Sequence, residues 1–235
     1  MPPSNIQLVS PDLSPAELES LGQSCGWGTV PSPRRMMAAE RLSPLSLAAA
    51  LRPPNAGVIE IERGHPCRPG DSFLHHLQLG GLGLAIATGT AHRCDLAFTF
   101  TTALMLHYPQ WQSREESIAR VLHEAVTNAI VHGNLDVATP TADLDGFHAY
   151  CAALDAALDD PAKAGRPIEI SAVHIDGLGL QLAVRDHGRG FVPAPVETHT
   201  AEPREHGLSI ISSLSRLRIL EGGRCAEITF RDEES

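Results

Sequence analysis

The sequence has no surplus of basic residues. It contains 18 Lys and Arg against 28 Asp and Glu, which gives a formal net charge of −10 at pH 7. A nucleic-acid-binding surface needs a clustered basic patch, so we expect no nucleic-acid partner. A phosphorylated ligand would need a cation, backbone N–H groups or a well-placed Arg to offset this charge.

Cysteine pairs and long apolar runs are also missing. The five cysteines are scattered, with no C-x-x-C spacing, which argues against a zinc site or a disulfide framework. The opening residues MPPSNIQLVS lack a basic stretch followed by an apolar run, so no signal peptide is expected. The most apolar stretch, residues 77–91, is broken by glycines and is shorter than the roughly 20 residues of a membrane-spanning helix. It predicts a buried strand with turns. We expect a cytoplasmic protein with no membrane partner.

Composition divides the chain near residue 70. Eleven of the 18 prolines lie in residues 1–69, where the only helix candidate is residues 43–52. This Pro-rich region is expected to be a loosely ordered extension or a small adaptor region. Residues 70–235 are patterned throughout and predict one domain. Inside it, residues 135–167 form a polar insertion with one predicted helix at residues 145–158.

The clearest helix pattern lies just before this insertion. Ser113 and Glu116 have the spacing of a capping box, and Gly133 is expected at the C′ position. Apolar residues recur between them at helical spacing, at Ile118, Val121, Leu122, Ala125, Val126, Ala129 and Ile130. Residues 94–108 have features of both strand and helix, and we predict a helix.

After the insertion, the period of the hydrophobic pattern changes to two. Residues 168–175 and 178–186 predict a hairpin that turns at Asp176-Gly177. A short helix from Gly207 and a second hairpin, RLRIL and CAEITF, follow. Helices on one side and antiparallel hairpins on the other predict an α/β two-layer sandwich.

Three polar residues stand four apart on the predicted long helix. Glu124, Asn128 and His132 advance about 40° each on an α-helix, so they form one stripe at the margin of the apolar face. Glu can act as a general base, and Asn is a neutral oxygen ligand suited to Mg²⁺. The alternative is a polar stripe at the solvent edge. His132 could orient Asn128 or cap its helix.

Two later segments add chemistry. RDHGRGF (185–191) places Asp186 at a strand end, followed by Gly188 and Gly190, which allow close approach of backbone to a ligand. A carboxylate suits an amine donor such as adenine N6 better than it suits phosphate. REHGLSII (204–211) puts Gly207 at a helix N-terminus, where free N–H groups receive phosphate. Taken singly, each is also an ordinary turn or helix start.

In this order and spacing, HEAVTNAIVHGN (123–134) and these two segments resemble the N, G1 and G2 boxes of the GHKL (Bergerat-fold) ATPases. The N box is most similar to that of the anti-sigma-factor serine/threonine kinases. The resemblance covers roughly residues 93–232. It implies ATP and Mg²⁺ as cofactors, with Glu124 as general base, Asn128 as metal ligand and Asp186 as the adenine-binding carboxylate. The other nucleotide-binding residues that it implies are His132, Gly133, Gly188, Gly190, Phe191, Gly207 and Leu208.

The chain departs from the family pattern in two places. Glu205 stands where relatives have a glycine two residues before Gly207, within an implied lid at residues 192–206. CAEITF replaces the Gly-Thr-Thr of many relatives, so we assign no role to Thr229. The long insertion resembles variants found beside phosphatase or receiver modules, which implies those partner classes.

The resemblance also implies an activity and partners. The expected activity is Mg-ATP-dependent phosphorylation of a serine or threonine on a STAS-domain, anti-anti-sigma-like partner. The partner could also be a sigma factor that the protein captures. The resemblance further implies a homodimer. One alternative is a nucleotide-gated binding switch without turnover. Another is the catalytic domain of a split histidine kinase.

Two other segments invite a functional interpretation. GGLGLAIATG (80–89) looks like a G2 box but precedes the N box, so we predict a plain strand and turn. His75 and His76 lack flanking paired helices of the kind a phosphoacceptor domain needs, so we expect a surface pair.

Overall fold

A computed structural model describes residues 6–28, 32–61, 69–141, 143–190 and 206–232. Within these ranges the eight strands are β1 (Ile6–Val9), β2 (Arg34–Ala39), β3 (Asn55–Glu60), β4 (Leu82–Ala87), β5 (Pro167–Ile175), β6 (Gly179–Arg185), β7 (Arg216–Leu220) and β8 (Cys225–Phe230). The α-helices there are α1 (Pro15–Cys25), α2 (Pro44–Ala50), α3 (Asp71–Gln78), α4 (Thr88–Arg93), α5 (Leu96–His107), α6 (Glu115–Thr127), α7 (Leu144–Leu158), α8 (Pro161–Ala164) and α9 (His206–Leu214).

All eight strands form one mixed sheet in the order β1-β2-β3-β4-β5-β6-β8-β7. The first four strands are parallel, and the pairs from β4 to β7 are antiparallel. The α/β class is therefore confirmed. One register row crosses all eight of these strands, through Val9, Met37, Val58, Leu84, Ile170, Val184, Ala226 and Ile219.

The N-terminal region is more ordered than its proline content predicts. Residues 6–61 supply β1, β2 and β3, and β3 pairs with β4 in the parallel direction. Two prolines begin helices in this region, because Pro15 and Pro44 directly follow the N-cap residues Ser14 and Ser43. A loosely ordered extension is therefore wrong for the described part of this region.

Two hydrophobic clusters lie on opposite faces of the sheet. The larger one joins α2, α5, α6 and α9 to β4–β8. The smaller one packs α1 and α3 against β1–β4. The predicted two-layer sandwich therefore describes only the part of the fold around β6–β8. The parallel half of the sheet carries helices on both faces, which makes three layers there. Burial on both faces is the usual environment of parallel strands.

The long helix differs from its prediction at both ends. A 3₁₀ helix, Pro109–Arg114, runs directly into α6 at Glu115, so Ser113 does not cap a free helix end and the capping box is wrong. At the other end α6 continues as a π-helical segment, Asn128–Asn134, in which Leu135 N donates to Ile130 O at 2.9 Å. Gly133 lies inside that segment and not at a C′ position.

The other predicted elements of the patterned region are confirmed, with small shifts of their ends. These are α5, α7, α9 and the two hairpins, β5–β6 and β7–β8. Residues 80–89 form strand β4 with a turn before it and the start of α4 after it. The prediction that His75 and His76 form a surface pair is correct only for His75, which is exposed. His76 is buried, and its Nδ1 lies 2.9 Å from Ser171 Oγ.

Candidate functional site

A cavity of about 310 Å³ lies between the sheet and the helices. Its floor is the end of the register row that crosses the sheet, where Val184, Ala226 and Ile219 stand side by side on β6, β8 and β7. Its roof is Ala125 and Ala129, with Ile211 from α9 also in the lining. The volume and the apolar lining are those of a site for a small organic ligand.

Polar side chains enter this cavity from four parts of the chain. Asn128 and His132 come from the π-helical segment, and Asp186 follows β6. Thr139 comes from the start of the insertion and Arg224 from the turn between β7 and β8. The cavity therefore brings residues of the first two sequence motifs together. Thr139 and Arg224 are additions that no sequence motif indicated.

Asp186 is the buried acid of this cavity, with 6% of its surface exposed. Its Oδ1 accepts from Gly188 N at 2.8 Å, and its own N–H donates to Arg224 O at 2.9 Å. Among the described residues, Oδ2 receives no hydrogen bond, which leaves that oxygen for a ligand. Burial raises the pKa of Asp186, although the Gly188 N–H and the nearby Arg185 and Arg224 cations oppose the rise.

Glycines permit the close packing around Asp186. A Cβ on Gly133 would lie 2.5 Å from Asp186 Cγ, and one on Gly188 would lie 2.0 Å from Gly133 O. Gly190 has φ +74°, and a Cβ there would lie 2.2 Å from Gly222 O. These distances are far inside van der Waals contact. The glycines of the second motif thus pack against protein backbone, whereas the sequence suggested close approach to a ligand.

Asn134 is a residue that the sequence analysis missed. Its side chain is fully buried, and its Oδ1 accepts from His187 N at 2.7 Å, next to Asp186. The available signal was its place directly after Gly133, at the end of the polar row, where a buried amide needs several partners.

The remaining predicted site residues have different outcomes. Glu124 is half-buried on α6, one turn before Asn128, and is not among the cavity-lining residues. His132 is exposed, and its Nδ1 lies 2.7 Å from Val137 O, so in this structure it holds the following loop and does not orient Asn128.

The third motif is only partly described. Gly207 and Leu208 lie in the first turn of α9. Phe191, Glu205 and lid residues 192–205 lie outside the described residues. Thr229, to which no role was assigned, pairs with Gln181 on the sheet face away from the cavity.

A charged cluster lies behind Asp186 on the opposite face of the sheet. Glu169, with 2% of its side chain exposed, binds Arg185 Nη1 at 3.0 Å and His187 Nε2 at 2.8 Å through Oε1. Its Oε2 accepts from Gly70 N, at the start of α3, at 2.8 Å. Arg185 also binds Glu221 at 2.6 Å. The residues on either side of Asp186 are therefore tied to β5, α3 and the β7–β8 turn.

Burial of the Arg185 guanidinium acts to lower its pKa. The hydrogen bonds and charges of Glu221 and Glu169 outweigh that effect, and the pKa of Arg185 is raised. The cation in this cluster is therefore permanent.

Within the described ranges, no helix combines the length and apolar character needed to cross a bilayer. Nor do those residues group three or more His, Cys, Asp or Glu side chains in a way that could hold a metal ion. No family model, no curated protein and no solved structure matches this chain.

Proposed function

We propose that this protein binds ATP in the cavity between α6 and the β6–β8–β7 strands, as a GHKL domain with the Bergerat fold. The observation that carries the proposal is the meeting of Asn128 and Asp186, 58 positions apart in the sequence, in the lining of one cavity of about 310 Å³. The apolar floor and roof suit a flat aromatic base, which stacks between aliphatic side chains.

The Asp186 end is the proposed adenine site. One carboxylate oxygen is occupied by Gly188 N–H, and the other can accept from the exocyclic amine of adenine. A guanine base presents an oxygen at the same ring position, which a carboxylate repels. We therefore expect ATP and ADP to bind and GTP to bind weakly.

The Asn128 end is the proposed phosphate site. Mg²⁺ keeps several of its waters and is commonly bound by one or two protein oxygens together with phosphates. A single carboxamide in the lining fits that pattern, and the metal would neutralise phosphate charge in a chain of net charge −10. Residues Gly207 and Leu208 in the first turn of α9 would add backbone N–H donors, which favour phosphate at a helix N-terminus.

The proposed activity is phosphorylation of a serine or threonine on a STAS-like partner by Mg-ATP. In this activity Glu124 would receive the proton of the acceptor hydroxyl, while the site positions the nucleotide. Calorimetric titration with ATP, ADP and GTP, with and without Mg²⁺, tests the binding step. Absence of any adenine-nucleotide binding would overturn the proposal.

The acceptor is tested separately. Radiolabelled ATP incubated with STAS proteins of the same genome is expected to label Ser or Thr. Acid-labile label on histidine would instead support the split histidine kinase.

A nucleotide-gated switch without turnover is the second candidate. The position of Glu124 favours it, because this residue is not in the cavity lining whereas Asn128 is. The substitution Glu124→Ala separates the two. A kinase would lose partner phosphorylation and keep partner binding, whereas a switch would keep its full cellular function.

A further inference from the structure

Asn134 is the best-satisfied polar side chain near the cavity. It is fully buried at the end of the π-helical segment. Its Nδ2 donates to Thr88 Oγ1 at 2.7 Å and to Pro167 O at 2.9 Å, and lies 3.4 Å from Arg166 O. Its Oδ1 accepts from His187 N at 2.7 Å. All the hydrogen-bonding groups of this amide are therefore in use.

The partners of Asn134 belong to two different kinds of structure. Thr88 and Pro167 begin α4 and β5, and Thr88 Oγ1 is itself bonded to Arg166 O at 2.6 Å. These segments belong to the packed core of the sheet. His187, by contrast, lies in the irregular turn after β6. Asn134 thus connects the turn to a rigid part of the fold.

Three consecutive backbone N–H groups of that turn are held by three separate acceptors. The Asp186 N–H donates to Arg224 O, the His187 N–H to Asn134 Oδ1, and the Gly188 N–H to Asp186 Oδ1. Of these acceptors, only Asn134 belongs to the helical layer that carries Asn128. Its hydrogen bond therefore holds the turn that carries Asp186 against the helical layer, together with the packing of Gly133 on Asp186.

The chemistry of this position requires a carboxamide. The site needs an acceptor on one side and two donor directions on the other, and Asn supplies both on one short planar group. Asp would keep the acceptor for His187 N–H but would put an unpaired negative charge beside Pro167 O. An apolar residue would leave buried N–H and C=O groups unpaired, which is costly in the protein interior.

We propose that Asn134 is the positioning residue for base selection. It holds the turn so that the free oxygen of Asp186 points at the amine of the bound base. This inference rests on the proposed ATP binding, since it concerns how the same cavity selects its nucleotide. Asn134 does not line the cavity, so its effect on the base is exerted through the turn that carries Asp186.

The test compares ATP with purine riboside triphosphate, which lacks the exocyclic amine, at a temperature below the melting point of every variant. The unmodified chain is expected to prefer ATP by about 10-fold or more, the range of one hydrogen bond to a charged group. In Asn134→Ala the preference is expected to fall to within about 2-fold, because the carboxylate is no longer fixed.

The matched control is Thr88→Val. It removes one buried hydrogen bond of the same amide on the side away from Asp186 and leaves the bonds to Pro167 O and His187 N, so it is expected to lower the melting temperature and keep the preference for ATP. A general loss of stability therefore cannot imitate the expected result. If Asn134→Ala does not fold, the same ratio is measured for Asn134→Ser, whose short hydroxyl cannot span the gap to His187 N.

The outcomes separate the two proposals. If the unmodified chain binds neither nucleotide, the proposed function fails. If it prefers ATP and the Asn134 variant keeps that preference in full, the cavity binds ATP and only the positioning role of Asn134 is overturned.

Discussion

At the scale of single residues, the site depends on one buried carboxylate and on the absence of side chains around it. The sequence indicated Asp186, Gly188 and Gly133 through their order and spacing. The sequence suggested that the glycines allow close approach of a ligand. In the structure the atoms that approach them belong to distant parts of the protein chain. Asn134 was not found, since a single buried amide has no periodic signal.

Replacing Asp186 by Asn is expected to weaken ATP binding and to leave the fold at least as stable at neutral pH. Because Gly188 N–H occupies one side-chain oxygen, the substitution puts an amide N–H donor in place of the oxygen proposed to accept from the adenine amine. It is expected to weaken ATP binding about 10- to 100-fold, the range of a charge-assisted hydrogen bond. Because burial raises the pKa of Asp186, the folded protein holds that proton to a higher pH than the unfolded chain. Ionisation of Asp186 therefore lowers the free energy of unfolding as pH rises above the ordinary carboxyl pKa of about 4.

Thermal unfolding across pH measures this effect. Asp186→Asn is expected to melt at or above the temperature of the unmodified chain at pH 7, and its advantage should vanish below about pH 4, where both states are protonated. A variant that is less stable at neutral pH and equally stable in acid would contradict the sign of this argument.

Adding one methyl group at Gly133 is expected to displace Asp186. The new Cβ would lie 2.5 Å from Asp186 Cγ, so the turn must move. We expect Gly133→Ala to lose about 1–3 kcal/mol of stability, as overpacked sites do, and at least about 10-fold in ATP affinity. Urea unfolding and calorimetry measure the two losses.

The matched control is Gly89→Ala in α4. There the nearest atom would be 3.5 Å away, an ordinary contact. This helical site is expected to gain up to about 1 kcal/mol. Equal losses at both positions would show that the contact with Asp186 has no special role.

At the scale of elements, strand β6 connects the two faces of the sheet. Its end carries Asp186 toward the cavity, while Arg185 and His187 reach Glu169 on the other face. Glu169 also accepts from the backbone at the start of α3. The π-helical segment acts on the cavity side, since a π-turn takes one residue more than an α-turn and brings Gly133 against Asp186.

Glu169→Gln is expected to destabilise the fold by about 3 kcal/mol, because a half-buried Arg185 loses a fully buried charged partner. The control is Glu227→Gln, which breaks the pair with Arg218, whose side chain is 59% exposed. That change is expected to cost less than about 1 kcal/mol. Urea midpoints at neutral pH compare the two, and equal effects would show that the Glu169 cluster does not stabilise the fold.

At the scale of the whole molecule, the sheet continues across the compositional boundary at residue 69. Strand β3 pairs with β4, and the larger hydrophobic cluster includes Leu47 and Val58 from the first region together with Leu122 and Ile170 from the second. The two regions of the sequence therefore share one core in the structure.

A fragment of residues 70–235 tests whether the second region needs the first to complete its hydrophobic core. Without β3 the fragment exposes β4 as an edge strand and uncovers part of α5, so it is expected to aggregate or to bind a hydrophobic dye. The full chain is expected to unfold in one cooperative transition. A soluble fragment with unchanged ATP affinity would show that residues 70–235 fold independently.

The sequence alone determined the elements whose pattern is local. Helix α6 and the hairpins β5–β6 and β7–β8 are long or strictly periodic, so neighbouring residues suffice to indicate them. The order of the polar motifs along the chain likewise indicated a common site.

Only the tertiary structure decided the remainder. Strands β1–β3 are four to six residues long and are stabilised by pairing with strands far away in the chain. The local proline-rich composition therefore did not indicate that these residues form strands. The π-turn, the contact of Gly133 with Asp186 and the four hydrogen-bond partners of Asn134 likewise depend on distant groups. Such contacts form only when distant segments pack together in the folded protein, so no short stretch of sequence can indicate them.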